Sequence, residues 1–201
     1  MKQLILLVTL VLSSFFSAAS EHTSQEVYQK LNIENEISFE IFDKAYTAYQ
    51  KYSKKDDVLT IIDYTKPSVE ERFYLLDMVN FTVIHHSLVT HGKNSGFNKT
   101  TKFSNVDGSN ATSKGIFRTD DTYYGSNGYS LRLDGLSKGL NDNARSRYIV
   151  VHGASYANPE AIIANGGKRL GRSLGCPALP QKIARDVIDR IKGGSIIYSH
   201  G

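Results

Sequence analysis

The sequence has no tryptophan, a single cysteine and only 4 prolines among its 201 residues. One cysteine excludes an intramolecular disulfide framework and a thiolate-rich zinc cluster. The 16 glycines and the few prolines are together too few for a collagen-like or low-complexity chain. Hydrophobic residues make up 40% of the chain and charged residues 22%, which excludes an intrinsically disordered protein. The composition therefore indicates a globular domain with a sizeable core.

A strong excess of one charge is also missing. The chain has 24 basic and 20 acidic residues, for a formal net charge of +4. This excess is too small to indicate a nucleic-acid-binding protein, and we predict no nucleic-acid partner. No second long apolar run follows the N-terminal segment, so we also predict no stable insertion into a membrane.

The first 20 residues have the pattern of a secretory signal peptide. Lys2 gives a positive start, residues 4–12 are almost all apolar, and small residues follow up to Ser20. The apolar run is too short for a transmembrane helix of about 20 residues, although an uncleaved anchor is the alternative. We predict cleavage after Ala19 or Ser20. The protein is then exported, with the periplasm favoured over secretion or association with the cell wall.

Residues 21–57 are predicted to form a small helical appendage ahead of the main domain. Apolar side chains recur there at spacings of three and four, which places them on one face of a helix. These side chains are Phe39, Phe42, Ala45, Tyr46 and Tyr49.

The main domain, residues 58–201, is predicted to be mostly β with flanking helices. A β-hairpin is expected within 72–90, with its reversal at Met78–Asn80. Short strands and long loops suit the Gly-, Ser- and Asn-rich stretch 91–143. The other predicted elements are strands at 58–64, 148–151 and 195–198 and an amphipathic helix that ends at Ile191.

The lone cysteine of an exported chain has three possible roles: a buried inert thiol, an intermolecular disulfide or a nucleophile. His152 follows the predicted strand 148–151, and Cys176 comes 24 residues later. A neighbouring imidazole lowers the pKa of a thiol and accepts its proton. Gly175 allows a sharp turn that brings backbone N–H groups towards an oxyanion. A Cys/His pair by itself is nevertheless a weak signal.

Several spaced motifs strengthen that signal. They are Thr90–Gly96, Ser113–Phe117, Tyr124–Leu131, Gly139–Ala144, Val151–Ala154 and Ser173–Ala178. From about Thr60 to Ser199 the chain closely resembles the catalytic domain of the L,D-transpeptidases, the YkuD-like fold of bacterial cell-wall enzymes. It is most similar to the branch whose nucleophile motif reads Ser-x-Gly-Cys-Pro-Ala.

The resemblance implies a mainly β (α+β) sandwich or barrel with a few flanking helices. It also implies an exported peptidoglycan L,D-transpeptidase that forms an acyl-enzyme with stem tetrapeptides and needs no cofactor. Cys176 is then the nucleophile and His152 its general base. Ser173 orients the histidine or lines the site, and the Gly175–Cys176 backbone holds the oxyanion.

Three departures from the commonest form of the family leave the reaction open. Leu174 replaces the histidine that usually precedes the Gly-Cys pair, Pro177-Ala178 replaces a polar ending, and the gap between His152 and Cys176 is longer. Roles assigned to the missing residues cannot be transferred. An L,D-carboxypeptidase or endopeptidase on the same fold remains an alternative, as does an inactive peptidoglycan-binding protein.

Four further residues are candidates for binding the stem peptide. Arg172 precedes the thiol and suits a carboxylate of the peptide. His91 and Gly153 lie in segments that resemble the family, and Tyr124 is a candidate wall of the site.

A metal ion is not expected. His85, His86 and His91 are the histidines that suggest ligands by their proximity in sequence. However, adjacent residues of a strand point to opposite faces, and no carboxylate stands at a suggestive spacing.

Overall fold

The computed structural model describes residues 22–55 and 57–201. The predicted signal peptide, residues 1–20, lies outside the described residues. Within the described part of the chain, no helix has the length and apolar character needed to cross a membrane.

The described residues form one mixed eight-stranded sheet with α-helices around it. The strands are β1 Val58–Asp63, β2 Phe73–Asp77, β3 Thr82–Ser87, β4 Gly115–Gly125, β5 Gly128–Gly135, β6 Val150–Ala154, β7 Ala178–Pro180 and β8 Ile196–His200. The helices are α1 Ser24–Leu31, α2 Phe39–Tyr52, the short α3 Glu160–Ala164 and α4 Gln181–Ile191, with a 3₁₀ turn at Ser155–Ala157. The predicted mainly β class is confirmed.

The predicted hairpin within residues 72–90 is confirmed as β2 and β3. The Asp77 carboxylate accepts the N–H groups of Val79 and Asn80 and so closes the reversal. The expectation of only short strands in 91–143 is wrong for the second hairpin. Strand β4 has 11 residues and β5 has 8: one face of this hairpin buries Phe117, Leu131 and Leu133, and partly exposed polar side chains fill the other face.

The sheet curls until its two edges almost meet. Its strand order is β3-β2-β1-β8-β4-β5-β6-β7, so β3 and β7 are the edges. After β3 the chain runs along β7, and the Thr90 N–H donates to the Ala178 carbonyl at 3.0 Å. Further along, Gly92 bridges to Ser173. The predicted sandwich or barrel is therefore a nearly closed barrel-like sheet.

Helix α4 covers one face of the sheet. Its apolar side chains Ala184, Val187, Ile188 and Ile191 are buried at the spacing of an amphipathic helix. They belong to a core to which seven of the strands contribute buried side chains. Strand β6, which carries His152, turns Val151 into this core, so the side chains of Val150 and His152 lie on the other face.

Helices α1 and α2 cover a different part of the sheet. Hydroxyl oxygens of Thr23 and Ser38 cap their first turns by accepting the N–H groups of Glu26 and Ile41. Phe42 and Ala45 of α2 are fully buried in a core that includes side chains of β1, β2 and β8. The helices of segment 21–57 thus share a core with the sheet.

Candidate active site

His152 is held on β6 with one ring nitrogen bonded to the backbone. Its Nδ1 lies 3.0 Å from the Gly153 carbonyl oxygen. A carbonyl oxygen can only accept, so Nδ1 carries the proton and Nε2 has a lone pair. Among the described residues, Nε2 has no hydrogen-bond partner. Burial lowers the pKa of His152, and the bond to Gly153 raises it in part. The ring is a neutral base.

Cys176 lies two residues before β7, the strand that pairs in parallel with the β6 strand of His152. That pairing sets His152 opposite Ala178, two residues past the cysteine. The thiol lies 3.5 Å from the carbonyl oxygen of Tyr148, to which it donates, two residues before β6 begins. The two groups predicted to act together are thus carried by neighbouring segments at one edge of the sheet.

The resting thiol is neutral. Cys176 is only 9% exposed, and burial raises the pKa of its thiol. The Val150 N–H and the charge of Arg147 oppose that rise in part. We had expected the imidazole to lower the pKa of the thiol, but the groups that lower it are backbone N–H groups and Arg147, and burial outweighs them. The geometry therefore suits general-base activation of a thiol and not a preformed thiolate–imidazolium pair.

The Ser173 hydroxyl shapes the backbone around the nucleophile. It donates to the Cys176 carbonyl at 2.7 Å and accepts the Gly175 N–H at 3.1 Å. Of the two predicted roles of Ser173, these contacts favour lining the site, because the hydroxyl holds the loop of the thiol and not the ring of His152. The Gly175 N–H, which was expected to help hold the oxyanion, is already bonded to Ser173. The Cys176 N–H remains as the loop's own donor.

Gly175 contributes through its conformation. Its φ of +126° lies in a region that L side chains rarely adopt. A Cβ there would also stand 2.9 Å from the Ala111 carbonyl oxygen. Glycine is therefore the residue that lets the chain turn immediately before Cys176.

A model of the L,D-transpeptidase catalytic domain matches residues 33–200. The match covers most of the chain and contains both His152 and Cys176. The chain belongs to the L,D-transpeptidase catalytic domain family. No curated protein matches.

Solved structures similar to this chain include two L,D-transpeptidases and a cell-shape-determining protein. One from Mycobacterium smegmatis is 16% identical with a TM-score of 0.43, and the match covers 72% of this chain and 59% of that one. L,D-transpeptidase 1 of Mycobacterium tuberculosis is 17% identical with a TM-score of 0.41, over 73% of this chain and 62% of that one. The cell-shape-determining protein Pgp2 of Campylobacter jejuni is 13% identical with a TM-score of 0.43, over 88% and 55%. The chain thus spans about 60% of the length of the first of these.

His91, a predicted substrate-binding residue of this L,D-transpeptidase domain, is fully buried. Its Nδ1 accepts from Arg72 at 2.9 Å, and its Nε2 donates to the Gly96 carbonyl at 3.2 Å. Burial, with Arg72 second, lowers its pKa to about 4. With both nitrogens used, His91 holds its loop and cannot contact a peptide unless the loop opens.

Arg172 lies in the loop before the nucleophile. Its guanidinium donates to the carbonyls of Lys93 and Gly96 at 3.1 and 3.2 Å and stands near the exposed ring of Phe97. It ties the nucleophile loop to the 93–97 loop. Binding of a stem-peptide carboxylate by Arg172 stays a prediction.

Gly153 and Tyr124 face helix α4 and not the thiol. A Cβ on Gly153 would stand 2.9 Å from the Cβ of Ala184. Tyr124 is 72% exposed, and its hydroxyl accepts from Arg185 at 2.7 Å. Because Tyr123 pairs with Ser130 and Ser130 with His152, alternation puts Tyr124 on the opposite face from the histidine. Binding of the stem peptide by these two residues stays a prediction. In the structure Gly153 packs against α4, Tyr124 is bonded to Arg185 of α4, and the Gly153 carbonyl fixes the His152 tautomer.

Other residues close to the thiol were missed from the sequence. Tyr156 stands edge-on to His152 with ring centroids 6.5 Å apart, and its pKa is raised to about 12, chiefly by burial. Its position four residues after the histidine was the only available signal. A cavity of about 140 Å³ opens beside the β6 backbone that contacts the thiol. Its lining includes Tyr123, Arg132 and Tyr148.

The histidines considered as metal ligands are engaged elsewhere. His85 contacts Asp186 at 2.8 Å, and His86 lies between Glu36 and Glu71. In the described residues, no group of three or more potential ligands is arranged to hold a metal ion.

Proposed function

We propose that this protein is an exported cysteine L,D-transpeptidase that acts on the stem peptides of peptidoglycan. The observation that carries the proposal is the state of His152. Its Nδ1–H is bonded to the Gly153 carbonyl, which leaves a basic Nε2 on the strand that pairs with the segment directly following Cys176. A cysteine beside such a base is suited to acyl transfer.

In the first half-reaction, His152 Nε2 takes the thiol proton and Cys176 Sγ attacks the carbonyl of the third stem residue. The electron pair of the C=O bond moves to oxygen, where the Cys176 N–H supports the negative charge. When the tetrahedral intermediate collapses, the C–N bond breaks. The imidazolium returns its proton to the leaving D-alanine amine, and a thioester remains.

In the second half-reaction, an amine attacks the thioester. Nε2 accepts a proton from the amine and gives it to the departing thiol, which restores the resting enzyme. Attack by an amine of a second stem peptide produces a 3–3 cross-link. Attack by water produces a tripeptide, which is the L,D-carboxypeptidase alternative.

The substrate lies outside the cytoplasmic membrane, so the proposal requires export. Residues 1–20 supply the pattern of a signal peptide. Mass analysis of the N-terminus of protein recovered from the cell envelope should show a chain that begins at Ser20 or Glu21.

Incubation of mature protein with a purified tetrapeptide muropeptide, followed by mass analysis, tests the reaction. We expect a cross-linked dimer and free D-alanine. Cys176→Ala should abolish both products, and Tyr124→Phe is a matched control that should keep them. Tripeptide without dimer would favour the carboxypeptidase, and an unchanged muropeptide would favour a binding protein. Full turnover by Cys176→Ala would contradict the nucleophile assignment.

A further inference from the structure

Arg147 is a buried cation whose hydrogen-bond partners are all uncharged. Its side chain is only 8% exposed. Nη1 donates to the Ser104 carbonyl at 2.7 Å and to Ser113 Oγ at 2.5 Å. Nη2 donates to Ser109 Oγ at 3.0 Å and to the Ala111 carbonyl at 2.9 Å. A charge removed from water without an opposite charge is costly, so this arrangement needs an explanation.

The fifth donor of Arg147 has no partner at all. Its Nε is one of two buried side-chain polar atoms without a hydrogen bond in the described part of the chain. The other buried arginine, Arg72, differs, because its Nε and both terminal nitrogens bond to acceptors. Asp107 acts on Arg147 only through its field, and no ion pair joins them within residues 22–55 and 57–201. Arg147 thus retains unused donor capacity and an unbalanced charge.

Two backbone links connect Arg147 to the nucleophile. Tyr148, the next residue, supplies the carbonyl to which the Cys176 thiol donates. Tyr148 has a φ of +55°, which is unusual for a bulky residue and turns the chain between the arginine and β6. The Ala111 carbonyl that binds Arg147 is also the group against which Gly175 packs. The guanidinium is therefore fixed relative to the loop that carries the thiol.

We propose that Arg147 is the built-in counter-charge of the Cys176 thiolate and acts as a positioning residue for it. In the resting protein the thiol is neutral and the guanidinium is unbalanced. When the thiol proton moves to His152 Nε2, a negative charge appears on Sγ within the field of Arg147. The proposal rests on the proposed cysteine chemistry, but its test measures the reactivity of the thiol and not the formation of a peptide product.

Three other titratable groups belong to the surroundings of the thiol: His152 on β6, Tyr156 in the 3₁₀ turn and Tyr64 just after β1. A charge on Cys176 raises the pKa of both tyrosines. Burial keeps the pKa of each tyrosine above its usual value, so neither is charged at neutral pH. Of Arg147 and these three groups, Arg147 is therefore the one that carries a permanent charge.

The rate of Cys176 alkylation by iodoacetamide, measured from pH 6 to 10, tests the proposal. We expect Arg147→Gln to move the inflection about one pH unit upwards and to slow alkylation at pH 7.5 about tenfold. Arg147→Lys keeps the charge and should stay within about threefold of the parent protein. Arg145→Gln is the matched control, because that exposed arginine pairs with Asp120 and Asp134. It should leave the profile unchanged.

A profile of folded Arg147→Gln that overlays the parent protein would overturn the proposal, as would an equal shift in Arg145→Gln. A second measurement, made on the parent protein, tests the proposal even if Arg147→Gln does not fold. In the parent protein, the rate ratio of anionic iodoacetate to neutral iodoacetamide should exceed that of free cysteine, and a lower ratio also overturns it. The proposed function can fail independently, since a protein with this alkylation behaviour could still leave muropeptides unchanged.

Discussion

Two buried histidines of the described part of the chain each precede a glycine: His91, which contacts the buried Arg72, and His152, which belongs to the candidate active site with Cys176 and Arg147. In the His91 cluster, Arg72 donates to the ring and the other ring nitrogen donates to a carbonyl. In the active-site cluster, one ring nitrogen of His152 is bonded and the other is not, and Arg147, whose charge acts on the Cys176 thiol, keeps an unpaired Nε. The first cluster is saturated and the second is incomplete.

The difference teaches how the same residue types can be structural in one place and reactive in another. Buried polar groups are normally satisfied, and leaving one unsatisfied costs stability. In the saturated cluster every ring nitrogen is already hydrogen-bonded, so we expect His91 and Arg72 to contribute to stability and not to substrate binding. The incomplete cluster keeps a basic nitrogen that can accept the thiol proton and a positive charge that can stabilise the thiolate. Substitutions in the two clusters should therefore change different properties.

The largest expected effect is on activity. His152→Gln removes the base that takes the thiol proton, so turnover of the tetrapeptide muropeptide should fall about 10²–10⁴-fold. The free energy of unfolding should change much less, because the substitution removes only one hydrogen bond, from the ring to the Gly153 carbonyl. Mass-resolved kinetics and urea unfolding measure the two quantities. If His152→Gln lost much of its free energy of unfolding but the remaining folded protein kept the parent turnover, His152 would be a structural residue and not the general base.

Arg72→Met should have the largest effect on stability. It leaves the Val89 and Lys66 carbonyls and His91 Nδ1 without their donor, at a cost of about 4 kcal/mol in the free energy of unfolding. Urea denaturation measures the loss. Arg145→Met is the matched control, since its exposed ion pairs should contribute at most about 1 kcal/mol. Equal losses in the two variants would contradict the saturated-cluster interpretation.

His91 should make stability depend on pH. Its pKa is lowered to about 4 in the folded state, against about 6.5 in the unfolded chain. Its contribution is complete above pH 6.5 and is lost as the pH falls to 4, by about 3 kcal/mol, because only the unfolded state binds a proton in that window. The stability difference between the parent protein and His91→Gln should shrink by that amount between pH 7 and 4. A constant difference would mean that His91 titrates normally.

The smallest effect is expected at Tyr124. Its hydroxyl accepts from Arg185 on the face of the sheet opposite to His152. Tyr124→Phe should change turnover less than about twofold and stability by about 0.5 kcal/mol, as is usual for exposed positions. Both are measured with the assays above. A loss of turnover near that of His152→Gln would support the predicted role of Tyr124 as a wall of the substrate site.

Several features could be predicted because they depend on local patterns. The spacing of apolar residues predicted α4 and the helical segment, and β-branched and aromatic runs predicted the first hairpin. The length of β4 and β5 was missed because polar residues fill the sheet face away from the core. The start of β6 was placed too early at Tyr148, whose φ of +55° takes it out of the strand.

The sequence by itself determined the class of the fold and the family resemblance, and it predicted the pairing of Cys176 with His152, because each depends on residue types at fixed spacings. It could not show that both ring nitrogens of His91 are bonded while one nitrogen of His152 is not. Only the tertiary structure decided that, by bringing Arg72 to one ring and leaving Nε2 of the other free. It also brought Arg147 near the lone cysteine. Hydrogen-bond saturation is a property of contacts between distant segments, and no local pattern encodes it.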